Sequence, residues 1–487
     1  MTGLGRIDVL PDDVLLEIFD FYIKMYSSSA FGDKTEAETW QSLVHVCRRW
    51  RSLVLRSPHG LNLQLYCTPK TPAKETLDVW PALPLIVRGD MTLSGTDNVI
   101  AALGHSNRVC QVFLGGLVDW QLEQVLVAMQ VSFPELTDLR FISDGRTLLF
   151  IPDSFLDGSA PRLRHFSLSG VPFPGLPRLL LSATHLVSLW LENTPHSGYI
   201  SPEAIVTLLS VLSGLEDLSL EFRSPQSCPD LEIRRPLSSE RYVVPALHYF
   251  HFKGVIEYLE DLVTGIDTPQ LDRMEIIFFN QINFDTLRLA RFIHRTPKLT
   301  KRDALVQFND RFASVRLPPG LSTLEITILC REPDWQLSSV EQVCNSSLHP
   351  LSTVEDLYIE HQYSQLVWKN DAIDNTQWLQ LLLPFTAVKN LYLSKEFAPG
   401  IAAALQELVS GRILEVLPSL KNIFVKKLEP SGPFQKNIRR FVTARQLSDH
   451  PITTSKTDDA VCKLQPAHSA FTLILCHSSR ATGRRLA

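Results

Sequence analysis

The chain has 487 residues, 45% hydrophobic and 20% charged, enough for a large buried core. A formal charge of −5 and an isoelectric point near 6.3 speak against a general nucleic-acid binder. No run of about eighteen apolar residues is present, and Met1–Phe21 is too acidic for a signal peptide, so no membrane span and no secretory route are expected. The eight cysteines are scattered without a C-x-x-C pair, which suggests neither a zinc site nor a disulfide framework. Reduced thiols in the cytoplasm or nucleus are the expectation.

Leu10–Tyr22 (LPDDVLLEIFDFY) is predicted to be a short amphipathic helix, with Val14, Leu15, Ile18, Phe19 and Tyr22 on one face. Pro11 suits its first position, and Asp12 and Asp13 place negative charge at the positive end of the dipole. Thr39–Pro58 is predicted to be a second helix, with Trp40, Leu43, Val44, Cys47, Trp50 and Val54 along one side. Thr35-Glu36-Ala37-Glu38 before it matches a capping box, and Ser57-Pro58-His59-Gly60 ends it. Val46 and Leu53 lie off its main stripe. A helix apolar on more than one side asks for more burial than a two-helix unit provides, which points to a partner. The alternative is an ordinary helical hairpin opening a domain.

Leu10-Pro11, the acidic helix start, the Val14-Leu15 and Ile18-Phe19 spacing and Val46-Cys47-Arg48-Arg49-Trp50-Arg51 together resemble an F-box. The nearest flavour is that of the large fungal (basidiomycete) families, which continue into a leucine-rich-repeat-like region. One departure is Lys24–Lys34 (KMYSSSAFGDK), longer than the usual turn between the helices. The resemblance implies a partner, the adaptor subunit of an SCF-type cullin–RING ubiquitin ligase, and through it a cullin. The matching adaptor-binding positions are Leu10, Pro11, Val14, Leu15, Ile18, Phe19, Leu43, Val46, Cys47, Trp50 and Leu53. Of these, Leu10 and Pro11 match the most exposed anchors and Trp50 would be partly internal. Arg48, Arg49 and Arg51 either steer toward an acidic partner or form an ordinary solvated face.

Leu61–Arg88 reads as a connector with a strand at Leu83–Val87. A Leu-x-x-Leu-x-Leu pattern follows, starting at Val109, Leu136, Leu163, Leu186, Leu215, Leu247, Leu271, Leu321, Val354, Val388 and Leu420. Proline stands two residues before six of these starts, at 134, 161, 245, 269, 319 and 418. Pro297-Lys298-Leu299 marks a degenerate copy with its strand displaced to Ala304–Phe308. Helices are predicted between the hexads at Glu123–Gln130, Pro202–Leu212, Ile256–Val263, Thr286–Arg295, Asn375–Leu383 and Ile401–Val409. The fold class is therefore α/β: a small N-terminal helical domain, then an irregular leucine-rich-repeat solenoid with parallel strands on a concave face and helices outside. The expected divisions are a helical domain at 1–60, a connector and first repeat at 61–108, the solenoid at 109–428, a cap at 429–451 with a helix from Gln435 to Leu447, and a disordered tail at 452–487. Within that tail, Phe471–Cys476 is an apolar run without a role in the fold. The competing architecture is a non-repetitive α/β domain with many parallel strands.

No G-x-S-x-G, H-E-x-x-H, P-loop or G-x-G-x-x-G motif occurs, so neither catalysis nor a cofactor or metal is expected. The residues between the inward hydrophobics form a column: Arg140, Ser167, Trp190, Ser219, His251, Glu275, Glu325, Tyr358, Tyr392 and Phe424. Asp138, Asp217, Glu221, Asp356 and Glu360 flank it, so an acidic face is predicted, richer in aromatics toward the C-terminal half. Trp190, Glu325, Tyr358, Glu360, Tyr392 and Phe424 are the candidate target-binding residues, for a protein with a basic or polar segment. The chain reads as a target receptor of a ubiquitin ligase. The alternatives are an F-box scaffold outside ubiquitin transfer, or a repeat protein whose helical hairpin merely caps the solenoid.

Overall fold

A computed structural model describes residues 10–27, 36–57, 61, 63–91, 95–143, 149–227, 241–280, 286–299, 303–317, 323–346, 349–362, 374–426 and 433–457. The chain divides into two compact units, the first reaching Lys298 and the second starting at Leu299.

The first unit opens with helices α1 (Asp12–Ser27), α2 (Glu36–Val44) and α3 (Arg48–Arg56). Two helices had been expected here. The second breaks at His45–Cys47, where Cys47 takes up extended backbone (φ −157°, ψ 169°). Its Sγ accepts the N–H of Trp50 at 3.4 Å and so starts α3. Arg51 Nε donates to the Val44 carbonyl at 2.9 Å, satisfying a terminal group of α2. The apolar stripe runs on across the break, which is why periodicity alone did not reveal it. Thr35 of the expected capping box lies outside the described residues.

Strand and helix then alternate. The elements are β1 (Leu65–Cys67), α4 (Ala73–Val79), β2 (Leu85–Asp90), α5 (Thr96–Leu103), β3 (Val109–Leu117), α6 (Asp119–Ala128), β4 (Asp138–Ser143) and β5 (His165–Ser169). They continue through α7 (Leu176–Leu180), β6 (Ser188–Thr194), α8 (Pro202–Leu209), β7 (Asp217–Phe222) and β8 (Tyr242–Val243). The unit ends with β9 (Tyr249–Gly254), α9 (Ile256–Thr264), β10 (Ile266–Asp267), β11 (Arg273–Phe279) and α10 (Leu287–Arg295). From β1 to β11 each sheet strand pairs in parallel with the next, β7 joining directly to β9, while β8 and β10 form a separate parallel pair. A parallel strand must be reached by a crossover, and here helices supply many of the crossovers, neighbouring ones packing on each other.

The second unit contains β12 (Asp303–Phe308), β13 (Phe312–Leu317), β14 (Thr323–Leu329), α11 (Pro333–Ser346), β15 (Asp356–His361), α12 (Asn375–Leu382) and β16 (Asn390–Leu393). It closes with α13 (Ala398–Glu407), β17 (Asn422–Lys426), α14 (Pro433–Leu447) and β18 (Thr453–Thr457). β12, β15, β16, β17 and β18 run parallel in that order. β13 is antiparallel to both β12 and β14, making a meander not anticipated from the repeats. Asn309 explains the reversal: its Oδ1 accepts the N–H groups of Arg311 and Phe312, each at 2.8 Å, closing the turn.

All eleven hexads carry a strand, and their described inward residues, such as Leu163, Phe166 and Leu168, are buried. This is the leucine-rich-repeat pattern: alternation sends one set of side chains into the core and the other to an open face. The C-terminal helix forms two residues earlier than expected, at Pro433, and packs on α13. Thr453–Thr457 is a correction. It was expected to be disordered because it is polar, yet it pairs along β17, with Thr453 N–H donating to Lys421 O at 2.9 Å. Edge pairing uses backbone groups that every residue carries, and β-branched threonines suit it. Residues 458–487, including Phe471–Cys476, lie outside the described residues.

Candidate protein-interaction surfaces

α1 has two apolar faces. Leu15 and Phe19 point inward and are buried, Phe19 lying 4.7 Å from the Trp50 ring. Pro11, Val14, Ile18 and Phe21 follow one another at spacings of three, four and three residues along the other face. Val14 is half-buried and Pro11 exposed, and Ile18 and Phe21 are 46% and 69% exposed. Val46, in the turn before α3, is 59% exposed. Of the predicted adaptor-binding residues, Leu15, Phe19 and Leu43 are therefore core and cannot touch a partner directly, whereas Pro11, Ile18 and Val46 can. Leu10, Val14, Cys47, Trp50 and Leu53 are half-buried. Phe21 was missed, although continuing the three–four spacing would have found it.

The same helices are well anchored. Arg49 donates to the Leu10 carbonyl at 2.6 Å and pairs with Asp12 at 2.6 Å, tying the start of α1 to α3. Trp40 is buried, packs on Trp80 at 5.1 Å and donates its indole N–H to Gln64 O at 3.0 Å. Two of the basic residues, Arg49 and Arg51, thus have internal tasks.

On the open face of the first unit the expected column is the actual register: Arg140, Ser167, Trp190, Ser219, His251 and Glu275 are successive partners. Its acids, read from the sequence as free surface charge, are ion-paired with neighbouring cations. His251 Nε2 lies 3.0 Å from Glu221 and Nδ1 3.5 Å from Glu275. Arg273 pairs with Glu275 at 2.7 Å, and Lys253 with Glu221 at 3.7 Å. Burial alone would lower the His251 pKa; the two flanking carboxylates outweigh it and lift it to about 9. Burial would likewise raise the Glu275 carboxyl, but His251 and Arg273 hold it at about 2. Tyr249 donates to Glu275 at 3.1 Å, lies under the Arg273 guanidinium at 4.9 Å, and meets Trp190 at 6.0 Å. Ser219 and His251 are buried and offer no surface.

In the second unit Tyr358, Tyr392 and Phe424 are successive register partners. Their rings stack nearly parallel, at 4.3 Å and 7° and then at 4.7 Å and 12°. All three are half-buried, as is Glu360. Beside them runs a ladder of polar side chains: Asn390 donates to Asp356 and Asn422 to Asn390, each at 2.7 Å. Glu325 is a correction. It was placed next to Tyr358, but the meander sets Arg316 and Leu305 between them. Glu325 is also neutralised, 2.7 Å from Arg316. The predicted acidic face is in large part a face of internal ion pairs.

Among the described residues no helix is long and apolar enough to cross a membrane, and no group of three or more His, Cys, Asp or Glu is placed to hold a metal. No family model matches the chain, and no curated protein matches it in sequence. Among solved structures it is similar to the leucine-rich repeat-containing protein LegL7 from Legionella pneumophila. That match has a TM-score of 0.28 and 13% identity, over 78% of this chain and 97% of that one. At such a score the likeness carries no weight; the class, an α/β leucine-rich-repeat fold, rests on the strand registers and the buried hexads.

Proposed function

We propose that the chain is the target-recognition subunit of an SCF-type cullin–RING ubiquitin ligase. The N-terminal helices bind the adaptor, and the open sheet faces hold the protein to be modified. The observation that carries this is the second apolar face of α1, where Pro11, Val14, Ile18 and Phe21 meet solvent beside a sequence that resembles an F-box. An apolar stripe left outside a helix that already has a buried one is best explained by a second protein. The chain itself does no chemistry; its contribution is effective concentration and orientation of the target.

Co-purification of the full chain with an SCF adaptor tests the reading, beside the variant Ile18→Glu/Val46→Glu. Both positions are exposed, so the variant should fold. Capture of the adaptor by the parent chain and its loss in the variant is the expected result. A folded parent chain that captures no adaptor would sink the proposal.

A second reading is favoured by Trp40, whose packing on Trp80 and bond to Gln64 O join α2 to the start of the repeats. On that reading the helices cap the repeats and the protein is an interaction scaffold without a role in ubiquitin transfer. Partners whose abundance stays constant when the protein is removed would support it.

A further inference from the structure

We propose that the open face of the second unit docks an arginine-bearing segment of a partner protein, with Asp303 and Asp356 receiving the guanidinium and the Tyr358–Tyr392 stack lying along its stem. This rests on the reading of that face as a target surface and adds the chemistry of the target.

Charge complementarity selects the occupant. Asp303 and Asp356 are register partners on adjacent parallel strands, two residues before Leu305 and Tyr358. Like charges placed side by side oppose each other. Asp356 accepts one bond, from Asn390, at 2.7 Å. Asp303 has no hydrogen bond or ion pair among the described residues. Burial raises its carboxyl pKa, and then Asp356 and Glu355 raise it further. Other acids on this sheet come with their own cation: Glu325 with Arg316 at 2.7 Å, and Glu355 with Lys389 at 2.9 Å. Among the described residues the aspartate pair has no cation of its own.

The cation should be arginine. Adjacent strands lie about 4.8 Å apart, so two carboxylates in register can each take one donor edge of a single planar guanidinium. An ammonium is a point charge and cannot present two such edges. The neighbouring rings are already stacked, so little side-chain freedom is lost when an alkyl stem settles against them.

The test uses the full chain and fluorescence anisotropy with a labelled peptide of alternating arginine and glycine. Lysine–glycine and glutamate–glycine peptides are the comparisons. We expect saturable binding of the arginine peptide, weaker binding of the lysine peptide and none of the glutamate peptide. Asp303→Asn/Asp356→Asn should weaken binding about tenfold or more, as loss of a charge-assisted pair does, while Glu325→Gln should leave it unchanged. Circular dichroism should show both variants folded, since the aspartate change relieves a repulsion. Absence of arginine-peptide binding, equal binding of the lysine peptide, or an equal loss in Glu325→Gln would overturn the proposal. Adaptor capture by the N-terminal helices is read separately. Adaptor bound without peptide leaves the receptor reading standing and this one failed; peptide bound without adaptor does the reverse.

Discussion

Glu260 caps a helix that is not its own. Its Oε1 accepts the N–H of Leu289 at 2.7 Å and its Oε2 that of Arg288 at 2.8 Å, so one buried carboxylate of α9 closes the N-terminus of α10. Thr286, at the capping position of α10, makes no side-chain cap bond. Helix N-termini leave N–H groups unpaired, and negative charge there is favoured. Glu260→Ala is expected to destabilise the first unit by about 2 kcal/mol, and Glu260→Gln by less, since one acceptor oxygen remains. Urea unfolding followed by tryptophan fluorescence measures both. An alanine variant indistinguishable from the parent would show that water replaces the carboxylate without loss.

Arg445 should be the most sensitive polar residue of the second unit. It is fully buried in α14, and its guanidinium donates to the carbonyls of Ile413, Leu417, Pro418 and Leu420 at 3.1–3.4 Å. Arg445→Met fills similar space but leaves those carbonyls without their donor, an expected loss of about 3 kcal/mol or more. Arg445→Lys keeps the charge without the fork and should recover only part. Thermal unfolding, with limited proteolysis after β17, would read the effect. Equal stability of the methionine variant would mean that α14 is held by apolar packing alone.

His251 gives the first unit a pH dependence with a defined sign. Its folded pKa of about 9 lies above its ordinary 6.5, so the folded state holds the proton more tightly. The stabilisation is complete below pH ~6.5 and is lost as pH rises through ~9, amounting to about 3 kcal/mol. Unfolding midpoints should therefore fall across that window, and His251→Gln should flatten the dependence. The same decline in the glutamine variant would assign the effect to other groups.

The aromatic stack should respond by position. Among the described residues Tyr392 meets a ring on each side, whereas the Phe424 ring meets that of Tyr392 alone. At about 0.5–1.5 kcal/mol per contact beyond area burial, Tyr392→Ala should cost about twice the stacking energy of Phe424→Ala. A double-mutant cycle through Tyr358 separates this from burial. Equal coupling energies for the two positions would remove the stacking argument.

The repeat architecture was legible because Leu-x-x-Leu-x-Leu demands a strand with one buried side, and every hexad from Val109 to Leu420 supplied one. Even the column from Arg140 to Glu275 could be drawn before any coordinates, since equal positions in parallel repeats fall into register. What stayed hidden depends on pairs far apart in sequence. Glu260 gives no local sign that its partners are Arg288 and Leu289, and the column, which already set His251 beside Glu275, did not tell that their side chains pair or that Glu221 reaches the same ring. Other misses had local signs. Asn309-Asp310 between two alternating runs is a turn signal, and the outward stripe of α1 needed only one more step, to Phe21. The break at Cys47 could not be read, because a thiol is an uncommon cap and the apolar spacing continues through it.

The in-register sheet of the second unit has a metric consequence. Its rungs repeat at the strand spacing, as the ring separations of 4.3 and 4.7 Å reflect. An extended peptide laid across them advances about 3.3 Å per residue, so side chains on one of its sides recur every ~6.6 Å against a rung of ~4.8 Å. The two scales behave as a vernier, coinciding after about four rungs, near 19–20 Å. That is the span from β12 to β18, five parallel strands. The side chains of a peptide crossing them would come back into step with the rungs only after that distance.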